Sequence, residues 1–261
     1  MHDGSNLFPL LVAGLFGALI GSFLNVCIYR LPRQESIAWP GSHCPQCSHP
    51  IAWYDNIPIA SYLVLAGQCR HCGVRIPFRY PLVEILNALG YVGLFWFFGP
   101  GWVAAAYGLF YSALLVVAGT DLSHKIIPNA VTFPGIVVGL VCAATILPLG
   151  FLDSMLGLLV GGGILWLLAW ASPYLFGKEG MGGGDIKLLA MVGAFLGWKS
   201  ALMTIMIGSF LGSLVGVTLI AAQLIKREEY IPFGPFLVCG ALVALFFGQS
   251  LLNWYQGFLA V

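Results

Sequence analysis

The chain has 261 residues, of which 59% are apolar and only 8% charged, whereas a soluble domain is roughly one quarter charged. That balance excludes an ordinary soluble domain and points to an all-α polytopic protein with the lipid bilayer as its first partner. The net charge of +1 is too small for a nucleic-acid-binding surface, so no nucleic-acid partner is expected and the few charges are read by position.

Apolar runs of about 17 to 25 residues, enough to cross about 30 Å of hydrocarbon as helix, predict about eight transmembrane helices. In chain order they are 7–28, 82–98, 102–119, 130–147, 155–176, 186–198, 201–224 and 233–252. Only His2, and no Lys or Arg, precedes the first run, which is long enough to span, so it reads as a membrane helix rather than a cleavable signal. The sixth run is short and abuts a Gly-rich stretch. Either non-helical backbone around Asp185 reaches membrane depth and lines a wet cavity, or runs six and seven are a kinked, tightly packed pair.

With the amino terminus outside, one set of loops collects Arg30, Arg33, Arg70, Arg75, Arg79, Lys125, Lys178, Lys226 and Arg227, and the opposite set holds only Lys199. By the positive-inside rule the first set is cytoplasmic. Asp121 and Asp185 then both stand at cytoplasmic ends of their spans, and the carboxyl terminus returns outside.

One loop, 30–81, is long enough for a small domain between helices 1 and 2. It carries Cys44-Pro-Gln-Cys47 and Cys69-Arg-His-Cys72, two pairs separated by twenty-one residues. Each Cys-x-x-Cys forms a tight knuckle presenting two thiolates, so Cys44, Cys47, Cys69 and Cys72 suit one tetrahedral Zn²⁺ in a zinc-ribbon-like fold. Disulfides or a redox pair are the other readings; a cytoplasmic position argues against persistent disulfides. His43, His49 and His71 lie nearby as surface or outer-layer residues, because four thiolates complete the site. Cys27, Cys142 and Cys239 fall in apolar runs and read as small buried hydrophobes.

Other features carry less chemistry. Gly180-Met-Gly-Gly-Gly184 follows a hydrophobic helix rather than a strand, which argues against a dinucleotide site. Gly17 and Gly21, Gly161 to Gly163, and Gly208 to Gly216 form small-residue stripes suited to helix packing, and Asn25 and Asn87 read as inter-helix hydrogen-bonding glue. The run from Lys226 to Glu229 is a mixed-sign solvated loop. Trp102 and Trp254 read as interfacial anchors.

Asp121 and Asp185 are costly at a membrane edge and therefore read as functional. Two carboxylates can divide the work of peptide hydrolysis: one ionised group takes a proton from water, and one protonated group polarises the scissile carbonyl. Small glycines before Asp185 would let a substrate backbone approach. A structural role is the alternative, each Asp capping a helix or pairing with Lys125 or Lys187.

The ordered motifs settle that choice by resemblance. Gly21-Ser-Phe-Leu-Asn-Val26, the four cysteines, Asn56-Ile-Pro-Ile-Ala-Ser-Tyr62, Arg79-Tyr-Pro-Leu-Val-Glu84, Asp121 with Ile127-Pro-Asn129, Gly182-Gly-Gly-Asp185-Ile-Lys187 and Ile231-Pro-Phe-Gly-Pro235 together resemble the type IV prepilin peptidases. These are bifunctional leader peptidases and N-methyltransferases of the Gly-x-Gly-Asp membrane aspartic protease class. The resemblance implies Asp121 and Asp185 as the catalytic pair and prepilins and type II secretion pseudopilins as substrates. It also implies cleavage after a Gly on the cytoplasmic face of the bacterial inner membrane. Methylation of the new amino terminus from S-adenosylmethionine would follow. The implied organisation is a first transmembrane helix over 1–29, a cytoplasmic four-cysteine zinc-binding domain over 30–81 and a seven-helix membrane peptidase core over 82–261.

No soluble methyl-donor fold is visible, which makes the loop the candidate methyltransferase region. Glu84, where the loop re-enters the membrane, could contact the substrate's new ammonium, cap the second span or pair with Arg79. Two further function classes stay open: a membrane transporter with Asp121, Asp185 and Lys187 along an ion path, and a non-enzymatic assembly scaffold whose zinc domain docks partners.

Overall fold

The computed structural model describes residues 7–177, 182–226 and 231–259. Lys178 and Arg227 of the orientation argument lie outside the described residues. So do Gly180 and Met181 of the Gly-rich run, Glu228 and Glu229, and the outermost residues of the two expected end domains (1–6, 260 and 261).

The described residues are helical, without a strand: α1 (Leu7–Arg30), α2 (Ala60–Val64), α3 (Arg79–Phe98), α4 (Trp102–His124), α5 (Asn129–Thr145), α6 (Phe151–Phe176), α7 (Gly183–Ala221) and α8 (Gly234–Leu259). Of two short 3₁₀ turns, Leu31–Arg33 opens the cysteine-bearing loop and Trp53–Asn56 lies between its two Cys pairs. Inside a bilayer every backbone N–H and C=O must find an internal partner, which is why apolar sequence of this length resolves into helices. Six of the described helices are long and apolar enough to cross a membrane: α1, α3, α4, α6, α7 and α8.

Six stands against the expected eight because α5 is short and α7, broken in the middle, counts once. At 17 residues, with Pro134 inside it, α5 is at the short end of what crosses the hydrocarbon. The expected sixth and seventh spans are the two halves of α7, whose 39 residues would extend about 58 Å if straight, about twice the hydrocarbon thickness. The interruption is at Gly197, where φ 80° and ψ 174° are not helical. Asp185 therefore sits in the first turn of a helix, and of the two alternatives the kink between runs six and seven is present, at Gly197.

The chain forms two compact units, residues 1–116 and 117–261, with the division inside α4. In the first, α1 and α3 pack through the Gly17 and Gly21 stripe: a Cβ on Gly21 would lie 2.7 Å from Glu84 Cα, and one on Gly17 2.9 Å from Ala88 Cα. Asn87 is the glue expected of it. Its Nδ2 donates to Gly17 O at 2.7 Å, and its Oδ1 accepts from Ser112 Oγ, which in turn meets the Tyr91 hydroxyl at 3.1 Å. Arg30, counted above only as an orientation charge, is buried and braces the loop by donating to Ser36 O and Gly41 O.

In the second unit α6 and α7 cross with Gly157 and Gly193 backbone to backbone, and Gly161 lies against Leu189 O. The α7 and α8 backbones approach at Gly240, where a Cβ would be 2.6 Å from Thr204 O. Small residues allow this closeness, and dispersion and Cα–H contacts replace the hydrophobic drive that lipid does not supply. Large apolar side chains such as Phe8, Leu15, Leu167 and Phe210 point outward, while Asp121, Thr120, Thr132, Ser154, Asp185 and Thr204 are buried, the reverse of a soluble protein. Trp102 and Trp254 are exposed near helix ends, as expected for interfacial anchors. Cys27 and Cys142 are buried, but Cys239 is exposed on an outward face of α8, so it does not pack as a core residue.

Candidate active site and metal centre

Asp121 lies in the last turn of α4 and Asp185 in the first turn of α7, more than sixty residues apart in sequence and both in the second unit. Both are nearly fully buried, at 3% and 4% exposure. Ile127 lies against both Gly184, the residue before Asp185, and Gly234, which touches the Asp121 carboxylate, so the fold brings the two acids into one site. The start of α8 completes the setting: Gly234 N donates to Asp121 Oδ2 at 2.9 Å.

The turn between α4 and α5 supplies the wall. Ile127 packs against both glycine segments; a Cβ added at Gly184 would lie 2.8 Å from Ile127 Cβ, and one at Gly234 3.3 Å from Ile127 Cδ1. Gly183, by contrast, faces open space, and Gly182 has only an ordinary approach to Asp185. Of the glycines expected to leave room near Asp185, Gly184 is thus required by internal packing and Gly183 is not. Lys187 Nζ donates to Asn129 Oδ1 at 2.7 Å and lies over the Phe133 ring, tying the start of α7 to the start of α5. Its described partner is Asn129 rather than Asp185, which removes one structural role considered for that carboxylate.

The four cysteines converge in the first unit. Each pair forms the same knuckle: Cys44 N donates to His49 O and Ser48 N back to Cys44 O, while Cys69 N donates to Val74 O and Gly73 N to Cys69 O. The residue after each second cysteine, Ser48 or Gly73, has the positive φ this turn requires. All four sulfurs lie within 4.8 Å of one another, and Cys44 and Cys72 are 3.8 Å apart. A tetrahedral zinc with bonds of about 2.3 Å puts its sulfurs about 3.8 Å apart, so the donor set fits the metal. The amides of Cys72 and His71 bring the Cys69 thiol down to about 7. For Cys72 the Val74 amide pulls down, but desolvation within the cluster and the neighbouring thiols prevail and push it up to about 12. His49 and His71 stack at 4.2 Å beside the cluster and stay outside the ligand set.

Glu84 faces this domain. Its Oε2 accepts from Ile59 N at 2.8 Å, and the Ser22 hydroxyl also reaches the carboxylate. Arg79 instead lies over the Tyr80 ring, so the described structure pairs Glu84 with loop backbone rather than with Arg79. Ile59 has φ 63°, an outlier for a β-branched residue. Asp55 and Arg70 form a bidentate pair, with bonds of 2.7 to 3.1 Å, which holds Asp55 below the usual carboxylate range and Arg70 above its own.

Residues 15–98 match the family model described as the bacterial peptidase A24 N-terminal domain, and residues 108–217 match that of the type IV leader peptidase family. A protein of Aeromonas salmonicida (strain A449) named prepilin leader peptidase/N-methyltransferase is 38% identical, over 92% of this chain and 91% of that protein. The chain belongs to the type IV leader peptidase family. A relative of the same name from Pseudomonas aeruginosa is 36% identical over 94% of this chain and 92% of its own, and one from Xanthomonas campestris pv. campestris 38% identical over 98% and 96%. No solved structure matches the chain at a significant level. As a leader peptidase family member, the chain places its four cysteines and Glu84 in the first matched segment and both aspartates in the second. Membership does not favour the transporter or scaffold readings.

The sequence did not single out Gly234, Ile127 or Arg30 as site or brace residues. Gly234 and Ile127 lie in two of the quoted motifs, Ile231 to Pro235 and Ile127 to Asn129. Arg30 carried no signal beyond its charge.

Proposed function

We propose that this chain is an intramembrane aspartic endopeptidase that removes the leader of type IV prepilins and type II secretion pseudopilins after a Gly. It then N-methylates the new amino terminus with S-adenosylmethionine as donor. The observation that carries the peptidase reading is the joint burial of Asp121 and Asp185 in one site, with the Gly234 amide fixing one carboxylate oxygen. Two acids this near cannot both ionise cheaply and share a proton. The ionised partner removes a proton from the attacking water; the protonated one polarises the scissile carbonyl and later hands its proton to the departing amine. The names of the relatives support the substrate class and the second activity.

The proposed division is a first span over 1–29, a four-cysteine domain over 30–81 and a membrane peptidase core over 82–261. The Lys and Arg distribution supports an inner-membrane orientation with the amino terminus outside and the four-cysteine domain and both aspartates on the cytoplasmic side. Cys44, Cys47, Cys69 and Cys72 would hold the zinc, which cross-links two knuckles that have little apolar core.

The test uses Asp121→Asn and Asp185→Asn. Each lowers leader cleavage of a purified prepilin by about 10³-fold or more, since neither remaining carboxylate can both activate water and donate a proton. Both still methylate a pilin supplied without its leader. Cleavage near the wild-type rate in both variants ends the proteolytic assignment; loss of both activities in well-folded variants merges the two sites.

A further inference from the structure

Between the end of α1, the four-cysteine domain and the start of α3 lies a cavity of about 340 Å³. Two polar groups mark it. Asn25, at 2% exposure, spends both amide hydrogens on Gly21 O and Tyr80 O, and its Oδ1 is buried without a partner. The two carbonyls fix which way the amide points, so Oδ1 can only accept. Glu84 is the second group, held by the Ile59 amide. Gly21, one turn before Asn25 on the same face of α1, abuts Glu84 Cα, which sets the two acceptors on neighbouring turns of packed helices. Tyr29, Tyr54 and Tyr80 contribute to the walls.

A buried acceptor with no donor costs free energy unless a ligand supplies one, and a buried carboxylate beside it favours a donor that is also cationic. We infer that this cavity is the receiving site for the free α-amino group of a peptide chain, with Asn25 Oδ1 and Glu84 as its two acceptors. The assignment rests on the methyl-transfer reading above and extends it to named residues. The incoming ammonium gives one proton to the Glu84 carboxylate, leaving a neutral amine held by Asn25. Its lone pair then forms the N–C bond to the methyl carbon of a sulfonium donor as the C–S bond breaks. That electron pair stays on sulfur as a thioether, and Glu84 later releases its proton to water.

The experiment uses the full-length protein in detergent free of ethanolamine lipid. Its probes are a synthetic peptide of a mature pilin amino-terminal sequence and the same peptide N-acetylated. Wild type binds the free-amino peptide about tenfold or more tightly than its acetylated twin, the difference that charged hydrogen bonds supply. Glu84→Gln and Asn25→Ala abolish that preference. In methyl transfer, Asn25→Ala raises KM for the leaderless pilin more than it lowers kcat. Thermal unfolding checks the fold of each variant; if Asn25→Ala does not fold, Glu84→Gln carries the test. Equal binding of the acetylated peptide, a preserved preference in Glu84→Gln, or displacement of the peptide by phosphatidylethanolamine micelles overturns the inference. Absence of methyl transfer in wild type would instead sink the functional reading, and the binding preference would still be measurable.

Discussion

Gly234 and Asp121 are locked together from both sides: the glycine's amide donates to Asp121 Oδ2 at 2.9 Å, and a Cβ on that glycine would stand 2.6 Å from the same oxygen. The carboxylate is the flexible end of a side chain, so an added methyl group moves the acid rather than the helix. Gly234→Ala is therefore expected to keep the unfolding temperature close to wild type while cleavage falls by about 10²-fold, the usual penalty for misplacing a reacting group by about 1 Å. Parallel thermal unfolding and prepilin cleavage assays check this. Unimpaired cleavage would mean that Asp121 is not held where the chemistry needs it.

The glycines before Asp185 divide by what they touch. At Gly184 a methyl group would meet the branched Ile127 Cβ at 2.8 Å, an atom with no rotamer freedom to retreat. Gly184→Ala should cost about 1–3 kcal/mol of stability through overpacking. Gly183 has nothing within 4 Å, so Gly183→Ala should leave stability unchanged. If substrate backbone passes there, as the sequence suggested, its KM for prepilin rises while its unfolding curve does not move. A Gly183→Ala enzyme with wild-type KM would remove the substrate-approach role.

How far the sequence reached depends on the kind of signal. Apolar runs located the helices, and even the break in α7 was foreshadowed by the gap between runs six and seven around Lys199, two residues past Gly197. The Cys-x-x-Cys spacing located the knuckles because that turn is local. Asp121 and Asp185 were legible because ionisable groups are rare in apolar runs. Asn25 was read as glue, and half of it is: its amide hydrogens bind two carbonyls, but the orphaned Oδ1 depends on how α1 meets α3, which no local pattern encodes. Arg30 was hidden for the same reason. A charge at a helix end looks alike whether it faces water or folds back onto Ser36 and Gly41.

The metal centre predicts composition and accessibility together. The purified, reduced protein should contain about one zinc per chain, and Cys44→Ser or Cys72→Ser should lose it along with the loop's resistance to protease, because a structural zinc site contributes folding free energy directly. In intact cells a membrane-impermeant thiol reagent should leave Cys44 and Cys69 unlabelled, even after metal removal. Elemental analysis without zinc would end the metal assignment; ready labelling from outside would invert the orientation.

Acid should loosen the four-cysteine domain through Asp55. Its contact with Arg70 holds the folded carboxyl below its unfolded value. The folded state therefore binds fewer protons than the unfolded one across that interval, and the pair's contribution is full above the ordinary carboxylate range and lost as pH falls through the depressed folded value. The effect is small, since the Arg70 side chain is 55% exposed, and added salt should weaken it further. Protease protection of the loop, followed from pH 7 down to about 3, should decline less steeply in Asp55→Asn than in wild type, with the two curves converging at the acid end. Since zinc release also opens the loop in acid, the comparison is made at matched metal content. Curves of identical slope in both proteins would mean that the Asp55–Arg70 pair contributes nothing to the domain's stability.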